Sequence, residues 1–319
     1  MSVDLNYYLK DILNDKVKNA YLLICEKQSE TLNLSREFLL KLFCKNKTGC
    51  KECALCRRVL SNNHPDIMNI TPKGKTVRID DVREAISFAS LKAYEGGYKA
   101  VVINNAELLS EGAQNCLLKV IEEPPQKTVF LLLARTKKSI LPTVMSRAAT
   151  IIVNPIDKSE LRDILIREFD ISTLKASLIA NLSGGYLNEA KNIVKDEEFF
   201  SVRDISIAIA RSICEAKGMP VTRISDKMLK QKEDLSLIIN CLISYFSDIL
   251  MFKITSSVDS IVNSDLVRDI KIRADGFTRG ALSNIIDILI EAENNTHIPL
   301  NLKLQTQAML FNILEEKNK

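Results

Sequence analysis

Five short apolar runs in the first 155 residues constrain the fold of this chain more than any other feature. They are rich in Val, Ile and Leu and nearly continuous, without the polar alternation of a half-exposed strand. Such runs are typical of strands buried on both faces of a parallel sheet. The runs cover residues 20–25, 66–71, 99–104, 128–134 and 150–153.

The segments between these runs show the spacing of amphipathic helices, at residues 34–43, 78–90 and 111–123. Repeated strand–helix–strand order predicts a doubly wound parallel sheet, so the first part of the chain is of the α/β class. The third helix is predicted to begin after Ser110, a good N-cap residue, and to end at Pro124, because proline cannot donate a backbone hydrogen bond.

The pattern changes after residue 155. Residues 156–201 indicate short helices and no strand, and residues 202–319 show long helical periodicity. We therefore predict an α/β domain at 1–155, a small helical domain at 156–201 and a larger helical domain at 202–319. No apolar run approaches the roughly 20 residues of a membrane span, and the N-terminus lacks a secretory pattern, so a cytoplasmic chain with no membrane partner is expected.

Four of the eight cysteines lie close together in the segment 44–56. Their spacing, with two C-x2-C steps, is typical of a closed tetrahedral site for structural zinc. An iron–sulfur cluster and four unconnected thiols are the alternatives. The remaining cysteines fall on apolar segments and are interpreted as small core residues. The predicted ligands are Cys44, Cys50, Cys53 and Cys56.

The first apolar run is followed by a segment, 26–33, that contains no glycine and no Lys-Ser/Thr pair. A phosphate-binding loop at this place needs glycines, so that its backbone amides can surround the phosphates. The run at 99–104 ends at Asn104 and Asn105, where nucleotide-hydrolysing enzymes of this class carry acidic residues. An amide has no charge to hold Mg²⁺ and cannot act as a general base. The sequence therefore predicts that this chain binds no ATP.

Four segments carry a family resemblance. Residues 115–125 (Asn-Cys-Leu-Leu-Lys-Val-Ile-Glu-Glu-Pro-Pro) and 141–147 (Leu-Pro-Thr-Val-Met-Ser-Arg) are the most specific, and 64–66 and 79–83 add to them. Together with the cysteine cluster, they resemble the delta-prime subunits of the bacterial DNA polymerase III clamp loader. The resemblance covers about residues 5–200 and is loose beyond them.

The resemblance implies an AAA+ type parallel-sheet domain with a zinc-binding insert, a small helical lid and an all-helical collar that joins five subunits. It implies ATPase motor subunits and the delta subunit as partners. The sliding clamp and primed DNA would be reached through that complex at the replisome on the nucleoid. It also implies that Arg147, with Ser146, enters the ATP site of a neighbouring subunit as an arginine finger.

Three features depart from the family pattern or from its ATPase relatives. Ala148 replaces a usual cysteine, Asn188 lies roughly where ATPase relatives carry a lid arginine, and Asn104-Asn105 replaces an acidic pair. The last two departures concern the chain's own nucleotide site, whereas Arg147 is retained. This asymmetry favours a non-catalytic subunit.

Two other functions are consistent with parts of the sequence. The first is the ATP-hydrolysing motor subunit of the same complex, which the segment 26–33 and the two asparagines disfavour. The second is a zinc-stabilised nucleic-acid-binding module. The net charge of +4 permits that role but does not argue for it, because DNA-binding proteins usually concentrate basic residues on one face.

Overall fold

A computed structural model of the chain describes Ile12 and residues 16–72, 74, 76–95, 97–215, 221–295 and 301–317. These residues form two compact units. The first comprises residues 1–156 with 186–189, and the second comprises 157–185 with 190–319. The division into three domains stays a prediction, and its boundary after residue 201 lies near the start of a helix that begins at Phe199.

The first unit is built on a sheet whose described strands are all parallel, in the order β2-β3-β4-β1-β5. This confirms the predicted α/β fold with a parallel sheet. The strands lie within one or two residues of the predicted runs: β1 Ala20–Ile24, β2 Ile67–Ile70, β3 Lys99–Ile103, β4 Thr128–Ala134 and β5 Ala149–Ile152.

The central strands are buried on both faces. In β1, Leu22 belongs to the core on one side of the sheet, while its neighbours Tyr21 and Leu23 belong to the core on the other. In β4 all seven residues are buried. Since neither face meets water, neither face needs polar residues, and the sequence shows continuous apolar runs.

Helices connect the strands of the first unit. They are α1 Gln28–Phe43, α2 Ala54–Leu60, α3 Ile79–Ser90, α4 Glu111–Glu122 and α5 Pro142–Arg147. The side chain of Ser110 accepts a hydrogen bond from the backbone N–H of Ala113, as expected of the N-cap of α4.

One boundary differs from its prediction. The segment 26–33 was expected to be a loop before a helix at 34–43, but α1 begins six residues earlier, at Gln28. The first two turns of α1 bury the polar residues Glu30 and Thr31 and expose Leu32, and this hides the apolar spacing by which a helix is detected in a sequence. Only Cys25, Glu26 and Lys27 therefore separate β1 from α1.

The described part of the second unit is helical. Its helices are α6 Lys158–Phe169, α7 Thr173–Leu182, α8 Leu187–Lys195, whose first three residues belong to the first unit, α9 Phe199–Glu215, α10 Val221–Leu229, α11 Leu235–Thr255, α12 Val267–Ala274, α13 Arg279–Asn295 and α14 Leu302–Lys317. Helical structure over residues 202–319 was predicted, although the individual boundaries were not.

The longest of these helices, α11, supplies much of the core of the second unit. Ile238, Leu242 and Phe246 are completely buried there. Among the described residues, α11 alone is long and apolar enough to cross a membrane, with a mean hydropathy of 1.8 over the most apolar window. The helix resembles a membrane span only in its length and apolar composition, and a helix in a protein core can have both.

A polar network is buried beside α11. Both carboxylate oxygens of Asp248 accept backbone N–H bonds, from Val262 and Asn263, at 2.8 Å. The carboxamide oxygen of Asn263 in turn accepts from the Arg203 guanidinium, which also binds Asp265. A buried charge is tolerated when it is paired and hydrogen-bonded in this way. The network ties the connection after α11 to α9.

Candidate functional site

The four cysteines of the predicted metal site converge. Their sulfur atoms all lie within 4.8 Å of one another, and the Cys44–Cys50 and Cys50–Cys56 pairs are separated by 3.7 and 4.0 Å. Four sulfurs at 2.3 Å from a central Zn²⁺ in tetrahedral geometry lie about 3.8 Å apart. The donor set and its spacing therefore fit a tetrahedral metal ion.

The segment between the first and third ligands turns back sharply. Lys47, Gly49 and Lys51 all have positive φ, in the left-handed region. A Cβ atom on Gly49 would come within 3.3 Å of the Lys41 side chain, so glycine also serves the close approach of the loop to α1. The last ligands come from α2, where the Cys53 sulfur accepts the backbone N–H of Cys56 and so caps the helix.

The protonation of the thiols is uneven. Burial acts to raise the pKa of Cys44, but hydrogen bonds from the backbone of Cys50 and Asn46 and from the Thr48 side chain outweigh it and lower the pKa to about 5. Burial raises the pKa of Cys56 to about 12. A metal ion binds thiolates, so its arrival would displace the proton from Cys56.

At the β1–α1 connection the polar side chains bind one another. Gln28 donates from its amide nitrogen to the Asn105 side chain at 2.9 Å, and its amide oxygen accepts from Arg135 at 3.1 Å. The backbone N–H of Arg135 donates to Glu107. Asn105 itself has a left-handed backbone, with φ of 52°. These bonds link the ends of β1, β3 and β4, where a doubly wound sheet usually binds its ligand.

Glu30, in the first turn of α1, is the most buried carboxylate of this region, with 3% of its surface exposed. It accepts three hydrogen bonds from the first turn of α8: from the backbone N–H of Asn188 at 2.8 Å, from the Asn188 side chain at 2.6 Å and from the backbone N–H of Glu189 at 3.0 Å. The hydroxyl of Ser29 donates to the Glu189 carboxylate at 2.6 Å. A helix N-terminus favours an anion, and here the anion is the chain's own carboxylate.

The two predicted asparagines therefore differ in their surroundings. Asn105 belongs to the network with Gln28. Asn104 is buried and donates from its amide nitrogen to the Thr71 hydroxyl at 3.2 Å. Asn188, which the sequence placed near a lid position, contacts Glu30 as described above.

Arg147 is the last residue of α5, and 40% of its side chain is exposed. Its guanidinium pairs with Glu122 at 2.5 Å and donates to the carbonyl of Thr143 and to the Ser146 hydroxyl. The structure thus brings Ser146 and Arg147 together at the surface. They lie outside the cysteine cluster and the β1–α1 network, and their role stays a prediction.

Sequence reasoning missed Glu30, Arg135 and Glu122 as partners in these sites. Glu30 and Asn188 are 158 positions apart, and no local pattern joins them. Glu122 lies in the Glu-Glu-Pro-Pro segment that carried the resemblance, and it ends α4 beside Arg147. The acidic residues of that segment were the one sequence feature that could have indicated a partner for Arg147.

Comparison with known proteins gives a consistent result. Residues 4–157 match the family described as "DNA polymerase III, delta subunit". The delta' subunit of DNA polymerase III from Bacillus subtilis is 27% identical over 300 residues, which cover 92% of this chain and 89% of that protein. The Escherichia coli delta' subunit is 32% identical over 177 residues, or 54% of this chain and 53% of the other.

A solved structure shares the fold along nearly the whole chain. It is a DNA polymerase III gamma-subunit-related protein from Thermotoga maritima, with a TM-score of 0.56, 18% identity and coverage of 98% of this chain and 99% of that one. At this identity the likeness shows the fold alone. The full-length similarity to the B. subtilis protein carries the family assignment, and the chain belongs to the delta' subunit family of DNA polymerase III.

Proposed function

We propose that this clamp-loader subunit has no ATPase activity of its own and completes the ATP site of a neighbouring subunit. The single observation that carries the first half is the arrangement of Glu30, whose buried carboxylate binds the first turn of α8. A nucleotide phosphate at that helix N-terminus would have to displace an anion that is already fully hydrogen-bonded there.

Two further features support the absence of ATP binding. A connection of three residues without glycine between β1 and α1 offers no loop of backbone amides for phosphates. Asn104 and Asn105 provide no carboxylate for Mg²⁺ at the end of β3. An ATP-hydrolysing motor subunit would need both a loop of backbone amides for the phosphates and a carboxylate for Mg²⁺. No specific observation on the described residues supports the nucleic-acid-binding alternative.

The second half of the proposal concerns Arg147 with Ser146. An exposed guanidinium at the end of a short helix can reach a phosphate on a neighbouring protein. There it would offset the charge that develops on the γ-phosphate during hydrolysis. The bond to Glu122 would be exchanged for a bond to the phosphate, and both are charge-assisted.

The four cysteines would hold Zn²⁺ as a structural ion. All four tetrahedral positions would be filled by thiolates, so no position remains for water or substrate. The role of the ion would be to fix the loop 45–52 and α2 against α1.

The family assignment supplies the proposed partners. A delta' subunit of the polymerase III clamp loader would assemble with tau or gamma ATPase subunits and with delta in a hetero-pentamer. Similarity to the B. subtilis tau subunit, 24% identical over 306 residues, is in keeping with subunits that share one fold. The complex would load the sliding clamp on primed DNA in the cytoplasm, at the nucleoid.

The experiment that tests the proposal is single-turnover ATP hydrolysis by the reconstituted loader with clamp and primed DNA, comparing wild type with Arg147→Ala. We expect normal assembly and a fall in hydrolysis at the neighbouring site of about a thousandfold, the usual effect of an arginine finger. Arg162→Ala, at a partly exposed arginine, is the matched control. Unchanged hydrolysis in a fully assembled Arg147→Ala complex would refute the finger role and leave a scaffold.

A further inference from the structure

A cleft of about 430 Å³ lies in the first unit, between α1, the connection from α2 to β2 and the ends of β2 and β3. Its apolar lining includes Leu39, Val59 and Val102, and its polar lining includes His64 and Asn104. None of the residues that line it belongs to the cysteine cluster, to the Gln28 network or to the surroundings of Arg147. It is therefore separate from the sites described above.

Two buried polar atoms in the lining of this cleft are unsatisfied. Nε2 of His64 and Oδ1 of Asn104 have no hydrogen-bond partner among the described residues. Their residues are 4% and 9% exposed. Buried polar atoms are nearly always paired, with protein or with water, so two orphans beside one cavity mark where a group from outside the chain, water or a ligand, would complete their hydrogen bonds.

The remaining bonds of these residues define what each orphan offers. The backbone N–H of Asp66 donates to Nδ1 of His64 at 3.2 Å, and burial lowers the pKa of this imidazole. The ring is therefore neutral with its proton on Nε2, which is a donor. Asn104 donates from its nitrogen to the Thr71 hydroxyl, so its free Oδ1 is an acceptor.

Arg36 adds a positive charge at the rim. It lies on α1, is exposed and lines the cleft, and it forms no ion pair within the described part of the chain. The cleft thus combines an apolar wall, one buried donor, one buried acceptor and a guanidinium at the entrance.

We propose that this cleft is a second binding site, which takes a nucleobase that carries a phosphate. The flat ring would lie against Leu39 and Val102, with its edge exchanging hydrogen bonds with His64 and Asn104. The phosphate would lie at Arg36, whose planar guanidinium suits a phosphate.

Simpler ligands satisfy fewer of these groups. A free phosphate could accept from His64 but would repel the Asn104 oxygen, and an apolar molecule would leave both orphans unpaired. A base edge has a donor and an acceptor together, and the cavity lies within the usual range of ligand pockets, about 300–1,000 Å³. The same chemistry could come from a free mononucleotide or from the phosphorylated end of a DNA strand.

The test is calorimetric titration of the full chain with the four ribonucleoside monophosphates, their nucleosides and a short 5′-phosphorylated single strand. Asn104→Leu should weaken the binding of both nucleotide and nucleoside by about tenfold, as expected from the loss of one buried hydrogen bond. Arg36→Gln, at an exposed residue, should weaken the nucleotide by about tenfold and leave the nucleoside unchanged. Circular dichroism checks that both variants are folded.

Glu30→Gln is the control, because it alters the β1–α1 connection and not the cleft. Binding of mononucleotides that survives this change would support the cleft as a site for free nucleotide, and binding of the strand alone would support a site for a DNA end. Failure of every ligand to bind at millimolar concentration would overturn the proposal. If binding is unchanged by Asn104→Leu and Arg36→Gln but is weakened by Glu30→Gln, the ligand lies at the β1–α1 connection. That result would refute both the proposal that the cleft is a binding site and the proposed lack of an ATP site. It would not affect the proposed role of Arg147.

Discussion

In the cysteine cluster the sulfur atoms face one another, whereas at the β1–α1 connection the polar side chains are paired with donors and acceptors of the chain itself. The four sulfur atoms lie within 4.8 Å of one another, and the hydrogen bonds that favour the thiolate of Cys44 are not matched at Cys56, whose pKa is raised by burial. Glu30 has three hydrogen bonds and Gln28 has two. The two regions lie in the same unit, so the contrast is one of local chemistry.

The difference teaches how a site that requires a ligand can be distinguished from a region whose polar groups are satisfied within the chain. A site that requires a ligand brings several charged or polar atoms together at one point, because the ligand is part of the structure. A region that needs no ligand satisfies the same kind of atoms internally, because unpaired buried groups are unfavourable. Four substitutions would break or sharpen this comparison.

The largest effect is expected from Cys44→Ser. If the cluster depends on a metal ion, losing one ligand should destabilise the first unit by more than about 4 kcal/mol, a size typical of the loss of a structural metal. The measurements are metal content by mass spectrometry and thermal unfolding with and without a chelator. Cys116→Ser, at a partly buried thiol outside the cluster, should retain the metal. Equal stability of both variants would show that the cluster needs no metal.

Glu30→Ala tests the internally satisfied region. It removes a buried acceptor of three bonds and leaves the donors of Asn188 and Glu189 without it, which should cost about 2–3 kcal/mol. Urea unfolding measures the change, and Glu26→Ala, at an exposed acid in the same connection, should have little effect.

The same Glu30→Ala variant should still bind no ATP, since the three-residue connection and Asn104-Asn105 remain. Equilibrium dialysis would measure this. ATP binding with a dissociation constant below about 1 mM in the variant would mean that Glu30 alone excludes the nucleotide.

Ser29→Ala removes a single hydrogen bond, to a carboxylate that is partly exposed. The expected loss is about 1 kcal/mol, less than for Glu30, because water can replace the hydroxyl. Ser87→Ala, which removes a local bond on the exposed surface of α3, is the control in the same unfolding measurement. A loss as large as that of Glu30→Ala would show that the Ser29 contact is buried in solution.

The smallest effect on stability is expected from Glu122→Gln, which weakens the exposed ion pair with Arg147. Surface pairs of this kind contribute little, so the free energy of unfolding should change by less than about 0.5 kcal/mol. Thermal unfolding of the chain is the measurement. A change above 1 kcal/mol would assign Arg147 a structural role and weaken the case for its action on a neighbour.

Much of the fold could be predicted, because the strands are buried on both faces and therefore appear as continuous apolar runs. The start of α1 was predicted six residues too late, since its first turns carry Gln28, Ser29 and Glu30. These residues are polar because they bind partners far along the chain, and a periodicity argument treats polar residues as solvent-exposed.

The candidate sites divide in the same way. The four cysteines are close in sequence, so their spacing alone predicted that they converge, and the geometry agrees. Asn104 and Asn105 were predicted as a pair, but only the structure separates them: Asn104 lines the cleft, and Asn105 belongs to the Gln28 network.

By itself the sequence determined the parallel sheet, the helical second part, the close spacing of the four cysteines and the absence of glycine from the segment 26–33, because each depends on residues near one another in the chain. Only the tertiary structure decided that Glu30 binds the first turn of α8, that Arg147 is held by Glu122 and that His64 and Asn104 share a cleft. These contacts join segments distant in sequence, and their energies depend on burial and on hydrogen-bond geometry, which exist only once the chain has folded.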